Sequence, residues 1–160
     1  MSVSQRLRDL LDQSGVKYTV VTHSPAYTAQ GTAQSLHTRG REVAKVVMVR
    51  HAGQLALAVL PAQARVDLER LGAAVHEEVV LASESEFAAA FPDCELGAMP
   101  PFGRLYGLTT WVDESLTRDL EITFNAGTHS EAIRMSFEDY RRLEVPSVSR
   151  FAGEPAGAEG

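Results

Sequence analysis

The chain has 160 residues, 15 Lys and Arg against 21 Asp and Glu, a formal net charge of −6, and 44% hydrophobic positions. That is an ordinary globular composition with length for one core, and its acidity excludes a general nucleic-acid coat protein, whose affinity comes from many cations neutralising phosphates. The longest uncharged apolar stretch, residues 53–64, is too short for a membrane helix and is broken by Pro61, while the single Cys94 excludes a disulfide scaffold.

The start, MSVSQRLRDLLDQSG, lacks an apolar h-region, which argues against a signal peptide and for a reducing, cytoplasmic setting. Leu7, Leu10 and Leu11 recur at helical spacing between Ser4, a cap, and Gly15, a stop, so residues 4–14 are expected to be a helix. Tyr18 to Thr22 alternates as a strand, and Thr28 to His37 has the composition of a second helix. Glu42 to His51 and Gln54 to Leu60 are Val- and Leu-rich runs around Ala52-Gly53, the strongest hairpin signal in the chain, and both are apolar on both faces, as central strands are. Arg65 to Leu71 is expected as a short helix, Val75 to Leu81 as a strand, and Ser83 to Phe91 as a helix opened by a Ser83/Glu86 capping box. Three strands follow the Gly/Pro-rich loop Gly97 to Gly103, at Leu105 to Val112, Glu121 to Asn125 and Glu131 to Ser136, and then a helix at Phe137 to Leu143. Helices interleaved with short, hairpin-linked strands predict an α/β domain of the α+β type, with a curved, barrel-like, mostly antiparallel or mixed sheet flanked by helices. It occupies residues 1–150; residues 151–160, small, acidic and unpatterned, are expected to be a disordered tail.

Several chemistries lack an anchor. The five histidines have no H-x-x-x-H spacing, and the His76/Glu78 fragment lacks the P-C-x-x-C of zinc deaminases, so neither a metal nor any other cofactor is expected. There is no G-x-S-x-G elbow, phosphate-binding loop or dinucleotide fingerprint. Cys94 beside Glu95 reads as an inert thiol.

Three features can carry chemistry. Lys45 lies in an apolar strand, V-A-K-V-V-M-V, where a buried ammonium needs a partner, an anionic ligand or a route to solvent at the strand's beginning. The loop Gly97-Ala98-Met99-Pro100-Pro101-Phe102-Gly103 is stiffened by its prolines, and its amides at 98, 99, 102 and 103 are expected to be free to hold a developing oxyanion. The hairpin tip Asn125-Ala126-Gly127-Thr128-His129-Ser130 displays an imidazole and hydroxyls. Cations also concentrate near the first of these, with Arg39, Arg41, Lys45 and Arg50 against Glu42 alone.

Lys45 in its strand, the Gly-x-x-x-Pro loop at Gly97 to Pro101, and Gly127-Thr128-His129 before Ala132-Ile133-Arg134-Met135 occur in an order and spacing that resembles the YbaK family of aminoacyl-tRNA editing domains, which includes the insertion domain of bacterial prolyl-tRNA synthetases. His23-Ser24-Pro25 and Thr28 resemble the family's opening segment. The resemblance implies a free-standing, metal-independent deacylase acting on the acceptor end of mischarged tRNA. It casts Lys45, Gly97 and His129 as catalytic. Tyr27, Arg39, Arg41, Ala98, Met99, Pro100, Pro101, Phe102, Gly103, Gly127 and Thr128 would bind substrate. In the family the attacker is water or a hydroxyl of the substrate itself, consistent with the missing protein nucleophile. The residues within the loop differ from those of the cysteine- and alanine-specific members, so alanine, cysteine, serine and threonine all remain open, as do the oligomeric state and the need for a synthetase partner. The competing reading is a non-catalytic module of the same fold that binds an acceptor end, nucleotide or small anion.

Overall fold

The structure, a computed structural model, describes residues 4–22 and 43–155. Helix α1, Gln5–Ser14, begins where the Ser4 hydroxyl accepts the Leu7 N–H and ends at Gly15, whose φ of 70° is left-handed. Leu7 and Leu11 are its buried face. Strand β1, Tyr18–Thr22, pairs antiparallel with β8, Glu131–Ser136, which pairs antiparallel with β7, Glu121–Asn125. These three strands form one sheet.

A second sheet is built on the hairpin of β2, Ala44–His51, and β3, Gln54–Pro61. Ala52 and Gly53 both take positive φ, 48° and 76°, the backbone of a tight two-residue turn whose twist matches that of its strands. β5, Val79–Leu81, pairs with β2; β6, Thr109–Asp113, runs parallel to β3, and β9, Ser147–Ser149, parallel to β6, giving the order β5-β2-β3-β6-β9. β2 and β3 are therefore interior strands. Along β3, Leu57 and Val59 face one apolar cluster while Ala56, Ala58 and Leu60 face another, which is why the run lacks polar alternation. A parallel bridge between Val43 and Thr123 joins the two sheets at the start of β2. The larger cluster packs α1 with Phe102, Phe124, Ile133, Met135 and with Phe137 and Tyr140 of the C-terminal helix. Mixed sheets flanked by helices are the α+β architecture expected, and among the described residues no helix is long and apolar enough to cross a membrane.

Several boundaries differ from expectation. Residues 64–66 form a strand, β4, and the helix α2 is Leu68–Val75, because Asp67 caps it through the Arg70 N–H while its own N–H donates to the Phe151 carbonyl at 2.6 Å. His76, at φ 61°, closes α2 and delays β5 to Val79. The capping box at Ser83 and Glu86 is present, but helix α3, Glu84–Phe87, tightens into a 3-10 turn over Ala88–Ala90 as the chain approaches Pro92, which disfavours helix at Phe91. Residues 103–106 make another 3-10 turn, ended by Gly107 at φ 73°, so β6 starts only at Thr109. The last helix, α4, is Phe137–Glu144.

The tail expected at 151–160 is corrected at its start. Phe151 is fully buried, the Asp113 carboxylate accepts the N–H groups of Phe151 and Ala152 at 2.9 and 2.8 Å, and Ala152–Pro155 pairs with β4 as β10. The helix expected at 28–37 lies outside the described residues, as do residues 156–160.

Candidate active site

The start of β2, the loop after the 3-10 turn and the end of β7 enclose a cavity of about 170 Å³. Val43, Ala44, Lys45 and Val46 form one wall; Gly97, Met99 and Asn125 form the other. Lys45 is half-buried, and burial, with a smaller push from Arg65, holds its ammonium below the usual lysine range. The Ala62 N–H donates to the Val43 carbonyl at 2.7 Å, which extends the β2–β3 ladder by one pair to the turn that leads into β4 and Arg65. Among the described residues no carboxylate pairs with Lys45. A desolvated, uncompensated cation facing a small hollow is an electrostatic invitation to negative charge.

The loop contributes backbone. Gly97, at φ +88°, takes a conformation that disfavours side chains, and a Cβ there would lie 3.4 Å from the His129 ring. Of the four amides expected to be free, three are engaged: Ala98 N–H donates to the Glu95 carbonyl at 3.0 Å, Phe102 to the Pro100 carbonyl at 2.8 Å, and Gly103 to the Thr110 hydroxyl at 3.1 Å. Met99 N–H has no protein partner among the described residues, and Gly97 N–H meets only the Met99 sulfur at 3.2 Å, a weak acceptor. The loop residues that line the cavity are thus Gly97 and Met99, and of their two amides the one at Met99 was expected to be free and the one at Gly97 was not.

Lys45, Gly97 and Met99 come together. The remainder of the loop is an anchor away from the lining. Pro100, Pro101, Phe102 and Gly103 are buried; Tyr140 donates its hydroxyl to the Pro101 carbonyl at 2.7 Å, Phe102 packs edge-on against Tyr140, and Gly103 is pressed so closely on Thr110 and Leu108 that a Cβ would come within 2.5 Å. Beneath them the Thr110 hydroxyl donates to Glu144 at 2.5 Å, and burial pushes that carboxyl up to about 7.

His129 stands behind the loop. It is almost fully buried, and its Nε2, 2.7 Å from the Leu96 carbonyl, must carry the proton because a carbonyl only accepts. Gly127 binds the Ala98 carbonyl through its N–H at 2.9 Å, and the Thr128 hydroxyl accepts the Glu131 N–H at 3.0 Å, so both shape the turn rather than the hollow. Tyr27, Arg39 and Arg41 lie outside the described residues. Asn125, which lines the cavity, is the polar residue that the site reading passed over, although it heads the Asn125–Ser130 segment singled out in the sequence.

Cys94 lacks the activation that a nucleophilic thiol needs. Burial pushes its thiol up to about 11, and it sits against Tyr106, whose hydroxyl donates to Asp93 at 2.9 Å. Burial alone would raise Asp93 as well, but hydrogen bonds from Ser4, at 2.5 Å, and Tyr106 outweigh it and hold that carboxyl below its ordinary value. This cluster ties the start of α1 to the loop. Among the described residues no three His, Cys, Asp or Glu side chains converge as metal ligands would.

Comparison with known proteins gives this geometry a lineage. Residues 23–143 match the family model of the aminoacyl-tRNA editing domain. A multifunctional Ser/Thr-tRNA deacylase, ProXp-y, of Escherichia coli K12 is 31% identical over 153 residues, covering 92% of this chain and 91% of the relative, and its counterpart in strain O157:H7 matches equally. Among solved structures, the protein APE2540 superposes with a TM-score of 0.84 at 17% identity over 93% of this chain and 100% of that one. A protein proposed to be a trans-editing enzyme for prolyl-tRNA synthetase superposes with a TM-score of 0.80 at 21% identity over 94% and 96%. These two likenesses speak for the fold, and the family match with the curated relatives carries the assignment: the chain belongs to the aminoacyl-tRNA editing domain family, as the order of Lys45, the Gly97 loop and the Gly127-Thr128-His129 turn implied.

Proposed function

We propose that this protein is a trans-editing deacylase that hydrolyses the ester joining a small, wrongly attached amino acid to tRNA. The observation that carries the reading is the cavity that Lys45 lines together with Gly97 and Met99. Its volume, about 170 Å³, lies below the roughly 300–1,000 Å³ of drug-sized ligand sites, which favours a small acyl group. Of alanine, cysteine, serine and threonine, the last two are favoured by the deacylase that shares 31% of this sequence.

In this reading the acyl carbonyl oxygen points at the Gly97 and Met99 N–H groups, which stabilise the charge it gains when an oxygen nucleophile adds to the carbonyl carbon. The nucleophile is water, or a substrate hydroxyl followed by water. Collapse of the adduct breaks the acyl–oxygen bond, and the departing ribose oxygen takes up a proton, giving free amino acid and uncharged tRNA. Lys45 supplies positive charge to the acceptor end and to the developing oxyanion. A side chain as poor in nucleophilicity as Cys94 is not required, because a positioned attacker and a stabilised oxyanion suffice for an activated ester.

The test is a panel of tRNAs carrying alanine, cysteine, serine or threonine, incubated with the full chain while the ester is followed. Cleavage of serine and threonine esters above the buffer rate is expected. Retention of all four esters alongside measurable tRNA binding would show instead a module that grips an acceptor end without chemistry.

A further inference from the structure

Gly97 and Met99 act through backbone, and backbone is only as well placed as whatever holds it. The tip of this loop has little burial of its own: Leu96 is 42% exposed. The hold comes from the turn after β7. Glu95 N–H donates to the Gly127 carbonyl at 2.7 Å, and Gly127 N–H to the Ala98 carbonyl at 2.9 Å, so the two segments are laced on both sides of Gly97. Two more bonds cross between them. The Glu95 carboxylate accepts the His129 N–H at 2.8 Å, and His129 Nε2–H donates to the Leu96 carbonyl at 2.7 Å. Only one of these four has a side-chain acceptor, and it can be removed without touching the backbone.

We infer that Glu95 is a positioning residue for the deacylation: its carboxylate, by holding the His129 amide, fixes the imidazole behind Gly97 and so sets where the Gly97 and Met99 donors stand in the cavity. The inference rests on the deacylase reading. Glu95 is absent from the cavity wall, so it acts through His129 and the loop and not on the reacting atoms. An ionised acceptor makes the bond roughly twice as strong as a neutral one. Its loss strands an N–H on a residue only 7% exposed, a group that then relaxes toward another partner and takes the ring with it. A misplacement of about 1 Å at a reacting centre is enough to lower a rate by about 100-fold.

The experiment uses the full chain and the mischarged tRNA it cleaves fastest. Glu95→Ala is expected to lower kcat by at least about tenfold with KM within about twofold, since the loop's donors act on the transition state. Glu95→Gln keeps an oxygen in the same place and is expected to stay within about threefold of the parent, while Glu95→Asp, one methylene too short, falls between. A readout independent of turnover is the amide NMR spectrum: the His129 and Gly97 signals are expected to move in the Ala variant and to hold position in the Gln variant. Full kcat in Glu95→Ala, or a Gln variant as impaired as the Ala one, overturns the inference. Should Glu95→Ala not fold, the Asp and Gln variants decide the matter between them. If the parent cleaves no ester, it is the deacylase reading that fails, and unmoved His129 and Gly97 signals in Glu95→Ala would separately refute the brace.

Discussion

Two hollows among the described residues differ in size and in how their charge is spent, and the larger is the less suited to chemistry. The larger, about 500 Å³, is walled by Arg70, Arg118 and Arg150 together with Asp113, Glu114 and Asp119. Its charges largely answer one another: Glu114 holds both Arg150 and Arg118, and Arg70 pairs with Asp67. Burial would raise Asp113, but hydrogen bonds from Ser115, Phe151 and Ala152 outweigh it and hold the carboxyl low, which makes it a strut for β10. The smaller hollow, about 170 Å³, has a half-buried Lys45 that meets no carboxylate and a Met99 amide that meets no acceptor among the described residues. Capacity for chemistry follows unspent charge and unspent donors, not volume.

Substitutions at the two hollows are expected to act unequally. The largest effect is expected from Lys45→Met, which should lower kcat/KM for the mischarged tRNA by about 100-fold or more, the scale of losing one preorganised stabilising group. The same change removes a desolvated cation, so the melting temperature should stay level or rise by about 2 °C. Arg150→Ala, in the larger hollow, should leave kcat/KM within about twofold, as loss of an exposed ion pair does. Kinetics and a melting curve on the two variants check both statements.

Gly97→Ala comes next. At φ +88° a side chain costs about 1–2 kcal/mol, and the new methyl would touch the His129 ring at 3.4 Å, so relief of the backbone strain displaces the loop. A loss of about tenfold or more in kcat is expected, with binding of uncharged tRNA unchanged.

Glu144 sharpens the contrast between the lining of the loop and its anchor. Its folded value, raised by burial from 4.5 to about 7, means that the folded chain holds this proton more tightly than the unfolded chain does. The group's contribution to stability is complete below pH 4.5 and is lost as the pH rises through 7. Thr110 and Arg104 both donate to the same oxygen, which the amide of Glu144→Gln can replace. Relative to that variant, the parent should lose about 3 kcal/mol of unfolding free energy between pH 4.5 and pH 8. Urea unfolding at the two pH values measures it. The smallest effect is expected at Cys94→Ser, where activity should stay within about twofold, because a thiol pushed up to about 11 by burial is neutral at working pH.

What the sequence made legible was local. Ser4 and Gly15 bound α1, Ala52-Gly53 turns the β2–β3 hairpin, and the Ser83/Glu86 box opens α3, since each depends on residues within a few positions. What was missed was made by distant partners. β4, β9 and β10 are strands of three or four residues whose pairing reaches across the chain, and Phe151 is buried although its surroundings in sequence look like a tail. The site divides in the same way. An ammonium among valines is visible in the sequence, and so is a stiff Gly/Pro loop. Which amides of that loop are spent depends on Glu95, Pro100 and Thr110, and no spacing rule shows that Thr110 accepts from Gly103. The histidine of the Gly127-Thr128-His129 turn was recognisable, and the resemblance casts it as catalytic, but its Nε2 bonds the Leu96 carbonyl and it is absent from the lining of the hollow.

If one small hollow brings Lys45 and the Gly97 and Met99 amides to a single acyl group, one small ligand should report on all three. A direct measurement is a titration of the isotope-labelled chain with a serine–adenosine conjugate whose ester is replaced by an unhydrolysable amide. The Lys45 side-chain signal and the Gly97 and Met99 amide signals are expected to shift together with one dissociation constant, while Arg118 and Arg150 stay still. Shifts confined to the arginine-lined hollow, with Lys45 and Met99 unmoved, would contradict that arrangement.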